Sequence, residues 1–204
     1  MNNPKIMAEY INCLSILEEN IALLYGSLSD RVESPALIKS LLLSISQDSS
    51  KHSTLLKGIA DSISKSKGKL GDCAKNLGDV WSTVSNCLDK VTNQGIDTLD
   101  FSQFLSVLND LESSVGEEYY IFVQMKTLQF MVNEINQLYD INLESIKDIF
   151  EGIIRDEERH RELLDTIKGI IGDSSTEEDN TPKVKYQNPN SWIGSLPPAT
   201  YYSK

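Results

Sequence analysis

Residues 146–167, IKDIFEGIIRDEERHRELLDTI, decide how the rest of the chain is read. Ile146, Phe150, Ile153, Leu164 and Ile167 recur at steps of three, four and eleven, which marks one face of a long amphipathic helix. Glu157 and His160 fall on that same face, three residues apart, where an apolar side chain is otherwise expected. An ionised carboxylate in a helical core is expensive to desolvate unless it is paired, protonated or bound to a cation.

Three further stretches carry the same periodicity. Helix A, about Met7 to Glu33, has an inward stripe of Ile11, Leu14, Glu18, Ile21, Tyr25, Leu28 and Val32. Helix B begins at Ser34-Pro35, a cap followed by a proline at the first helical position, and runs to about Ser64. Its stripe is Ile38, Leu42, Ile45, Ser49, His52, Leu56 and Ile59. Helix C is expected from about Asp100 to Tyr139, with Leu108, Leu111, Val115, Glu118, Phe122, Met125, Gln129 and Val132 inward. Helix D, from about Asn142 to Ile171, holds the opening stretch. Between B and C, Leu77, Val80, Trp81, Val84, Leu88 and Val91 predict a short crossover helix ending near Asn93-Gln94-Gly95. A long middle connection between two short ones is the one-crossover bundle topology.

The organisation is therefore all-α: a four-helix bundle over residues 1–171 and an extended tail over 172–204. The tail is acidic at first, then rich in proline and aromatic residues. The net charge of −11 and the lack of a basic cluster argue against nucleic acid and anionic lipid as partners. Without a leader-like N-terminus or a long apolar run, a cytoplasmic location is expected. Cys13, Cys73 and Cys87, widely spaced and odd in number, read as buried or half-buried thiols.

No lysine or arginine lies on any of the four stripes, so a divalent metal is the simplest reason for acids to point inward beside both histidines of the chain. One Glu from each of two helices and a Glu-x-x-His from each of the other two resembles the ligand set of ferritin-like di-iron carboxylate proteins, rubrerythrin among them. Carried over, the resemblance implies Glu18 and Glu118 as terminal carboxylates, Glu157 as a bridge, and His52 and His160 as nitrogen ligands. Glu18 and Glu118 each sit in a Glu-Glu pair, so a shift of one residue would turn Glu19 or Glu117 inward instead. Tyr25, seven residues after Glu18, is either core packing or a phenol near the metals. Helix B departs from the pattern, because QDSSKH places Ser49 where a second bridging Glu belongs. Asp48 lies roughly 100° around the helix from that position. Ser49 leaves room for water or an exogenous ligand.

The resemblance implies one or two iron ions, with manganese or zinc as other fits, and oxidation of iron or reduction of dioxygen or peroxide. It also implies a homo-oligomer, a dimer first. Electrons would come from a separate partner, because no rubredoxin-type cysteine module is present. A second reading makes the bundle an interaction module or an encapsulated cargo protein working through its tail. There Tyr186, Trp192, Ile193, Leu196, Tyr201 and Tyr202 sit among prolines and would dock on a protein partner.

Overall fold

A computed structural model describes residues 4–32, 35–63, 72–94, 101–124 and 143–175. Every regular element among them is helical: α1 (Pro4–Arg31), α2 (Ala36–Ile63), α3 (Cys73–Asp89), a π-helical turn (Lys90–Gln94), α4 (Phe101–Gln124) and α5 (Leu143–Ser175). The Ser34 cap, helix C beyond Gln124 and the aromatic tail lie outside the described residues. None of the described helices is long and apolar enough to cross a membrane.

The apolar stripes dictate the packing. All seven inward positions expected on each of α1, α2 and α5 are buried. α1 lies along α2, and α4 along α5; α2 also meets α5, and α3 packs across α1. Small residues let α1 and α2 approach closely. A Cβ added to Gly26 would come within 3.2 Å of the Ser46 hydroxyl, and that hydroxyl donates to the Ala22 carbonyl. Ser15 and Ser29 are buried on the same pair of helices and donate to the carbonyls of Ser53 and Lys39, so neither hydroxyl is left unsatisfied.

α3 is the expected crossover helix. Asp72 caps it, its carboxylate accepting from the Lys75 amide at 3.2 Å. The helix kinks at Gly78, whose φ of 54° suits a residue without a Cβ. Its N-terminus corrects the reading of the cysteines: Cys13 and Cys73 form a disulfide with Cα atoms 5.2 Å apart, and only Cys87 is a free thiol. A separation of 60 residues carries no pairing signal in sequence; the bond exists because α3 starts against the middle of α1.

Candidate metal centre

Among the described residues, the buried acidic and histidine side chains number five: Glu18, His52, Glu112, Glu157 and His160. They form one cluster, with one contributor on each of α1, α2 and α4 and two on α5. Glu157 stands at its middle. One of its oxygens lies 3.3 Å from His52 Nδ1 and the other 3.5 Å from His160 Nδ1. Glu18 completes the first side, 3.7 Å from His52 Nδ1, and Glu112 the second, 3.1 Å from His160 Nδ1. Two groups of three donors thus share Glu157, and each group is compact enough to hold a metal ion: Glu18, His52 and Glu157; Glu112, Glu157 and His160.

Four of the five residues expected from the sequence come together here. The fifth does not: Glu118 is half-buried, outside both groups, and accepts a hydrogen bond from the Tyr10 phenol at 2.8 Å. Glu112 takes the place expected for it. The reason is the register of α4, which turns Leu108, Leu111, Glu112, Val115 and Tyr119 inward, so the step after Val115 is four residues and not three. The close approach of α4 to α5 helps, since a Cβ at Gly116 would sit 3.5 Å from that of Glu157.

Tyr25 and Tyr119 surround the acids. The Tyr25 phenol donates to Glu112 and the Tyr119 phenol donates to Glu18, so each of these acids is held by a tyrosine from the other's helix. Burial, then the adjacent carboxylates, pushes both phenols well above the ordinary tyrosine range, which keeps them protonated donors. Tyr25, which the sequence allows as core packing or as a phenol near the metals, is fully buried and touches a candidate ligand; Tyr119 plays the matching part.

A second layer is also paired. His52 Nε2 lies 3.1 Å from Asp156, and His160 Nε2 lies 3.6 Å from Asp48. The Nε2–H tautomer of His52 donates to Asp156 and leaves Nδ1 with a lone pair facing Glu18 and Glu157. Lys51 bridges Asp48 and Asp156 at 3.1 and 2.8 Å, and Arg159 pairs with Asp48. Burial raises the Asp156 carboxyl, but Lys51 and the His52 imidazole outweigh it and hold the group down at about 2.

Without metal, the acids and imidazoles share protons. Burial disfavours the charged imidazole, yet Glu157 and Glu18 around His52, and Glu112 and Glu157 around His160, push both up to about 10. Burial and the neighbouring Glu157 raise the Glu112 carboxyl to about 7. Such a cluster trades bound protons for a cation. Even so, Glu18 Oε2, Glu157 Oε1 and His52 Nδ1 have no hydrogen-bond partner among the described residues, although all are buried. Orphaned buried donor atoms converging on one point fit a bound ion.

Comparison with models of known families, with curated proteins and with solved structures returns no match. The chemistry of the site therefore rests on its own geometry.

Proposed function

We propose that the chain is a ferritin-like four-helix bundle whose five buried donors hold two divalent ions, iron first, and that the pair reacts with dioxygen or peroxide. The observation that carries this reading is Glu157, which presents one oxygen to each histidine while each side keeps a carboxylate of its own. Hard carboxylate oxygens combined with imidazole suit iron, manganese or zinc better than copper(I) or calcium. The position of α3, in the connection between α2 and α4, agrees with a one-crossover bundle.

Iron, when bound, supplies one-electron redox chemistry. The protein's own groups do the rest. Glu18, Glu112 and Glu157 would offset the charge of the ions in a core that buries no lysine or arginine among the described residues. Tyr25 and Tyr119 fix Glu112 and Glu18 in place, and Asp156 orients the His52 imidazole. The apolar residues above and below, Ile21, Leu56, Val115 and Ile153, exclude bulk water from the reacting volume.

The test is anaerobic loading of chelator-treated protein with ferrous iron, followed by rapid mixing with oxygen or hydrogen peroxide. Oxidation faster than that of free ferrous iron, abolished in Glu157→Gln, supports the redox reading. Binding of iron with oxidation no faster than in solution would leave a metal-stabilised bundle and end the enzyme proposal.

A further inference from the structure

The cluster is built on an approximate two-fold pattern. Glu18 on α1 corresponds to Glu112 on α4, and each is followed seven residues later by a tyrosine, Tyr25 or Tyr119, that reaches the acid of the other helix. On α2 and α5 the correspondence is Asp48 with Asp156, Lys51 with Arg159 and His52 with His160. Each aspartate faces the other helix's histidine. The pair left over is Ser49 and Glu157, each one residue after the aspartate and three before the histidine.

Ser49 breaks the pattern in chemistry but not in position. It is fully buried, it shares a face with His52, and its hydroxyl has no hydrogen-bond partner among the described residues. What serine lacks relative to glutamate is a methylene, and a carboxylate in place of the hydroxyl. That deficit has the size of formate or acetate.

We propose that a small O–C–O anion from solution, formate, acetate or hydrogencarbonate, takes the part of the second bridging carboxylate at Ser49. The proposal rests on the two-ion reading above. Charge supports it. Three buried carboxylates against two divalent ions leave one positive charge in a low-dielectric core, while the outer layer of Asp48, Asp156, Lys51 and Arg159 cancels and the phenols stay neutral. One monoanion brings the centre to neutrality. The Ser49 hydroxyl then gains an acceptor for its proton. A recess of about 220 Å³ between α4 and α5 has Glu112, Gly116 and Glu157 on its wall, so it reaches two of the donors but not Ser49 itself.

The experiment titrates chelator-treated, full-length protein with cobalt(II) in carbonate-free buffer, with and without millimolar formate, at ionic strength matched with sodium chloride. Binding is followed calorimetrically and by the cobalt visible spectrum. The expected result is that formate tightens the second cobalt ion at least tenfold and changes its spectrum, and that pivalate, too bulky for the site, does neither. Parallel titrations with acetate and hydrogencarbonate show which anion fits best. In Ser49→Glu both ions should bind tightly with no response to formate. Two ions bound equally well with and without every small anion would overturn the proposal, as would an effect reproduced by chloride or one that persists in Ser49→Glu. Failure of the wild-type chain to bind cobalt at all would overturn the two-ion reading itself, which the same titration registers separately.

Discussion

Replacing Glu112 with glutamine, and Glu118 with glutamine in parallel, separates the acid that the structure places in the cluster from the one that the sequence pattern favours. Glu112 is fully buried, lies 3.1 Å from His160 Nδ1 and accepts from Tyr25. Glutamine keeps the volume and an acceptor for the phenol, so the fold should survive, but one of three buried negative charges and one ligand oxygen are lost. Changes in the partners of metal ligands cost up to about 100-fold in affinity, and a ligand should cost no less. The expected loss at one of the two ions is therefore at least about 100-fold, or about 2.7 kcal/mol. Glu118 is half-buried and accepts from the Tyr10 phenol, a bond that an amide oxygen can keep, so Glu118→Gln should change affinity and stability by no more than about 0.5 kcal/mol. Calorimetric titration of the metal-free variants with cobalt(II) measures both. An equal loss in the two variants, or a larger one in Glu118→Gln, would refute the register of α4 on which the site is built.

The tyrosine pair should behave symmetrically: Tyr25→Phe and Tyr119→Phe each remove one hydrogen bond to a terminal carboxylate, and each should weaken metal binding by about tenfold in the same titration. The metal-free protein should lose stability in alkali, because groups whose folded pKa is raised stabilise only while protonated. For His52 and His160 that contribution is complete below about 6.5 and is lost as the pH rises towards about 10, and Glu112 adds to the same trend up to about 7. Thermal melts from pH 6 to 10 should show a falling Tm without metal and a growing rise in Tm on adding metal, since ligation requires the deprotonated imidazoles. A metal-free Tm that climbs over this range would contradict the proton-sharing account. Cys13→Ser opens a loop of 60 residues and should cost about 4 kcal/mol in denaturant unfolding, with metal stoichiometry unchanged because neither cysteine belongs to either group of donors.

Much of this architecture could be read before any coordinates. Every residue that steps of three and four turned inward on α1, α2 and α5 is buried, because long helices with one buried face leave little choice of register. Those same stripes brought Glu18, His52, Glu157 and His160 to one level. On α4 the rule failed at one step. Glu112 and Leu111 both turn inward, and a stripe traced one residue per turn has to drop one of them. A signal for Glu112 was nevertheless present: Glu18-x6-Tyr25 recurs as Glu112-x6-Tyr119, and Asp48-x3-His52 recurs as Asp156-x3-His160. Reading the chain as two related halves would have found Glu112, the second tyrosine and the outer aspartates together. The Cys13–Cys73 bond was not accessible in that way, since it depends on where the crossover helix comes to rest and not on any periodic pattern.

The most direct test of the central claim is the iron content of chelator-treated protein after anaerobic loading with ferrous iron and removal of unbound metal, measured beside Glu157→Ala. The account predicts two ions per chain in the wild type and the loss of at least one when the shared carboxylate is removed. Wild-type protein that retains no iron, or two ions held unchanged in Glu157→Ala, would contradict it.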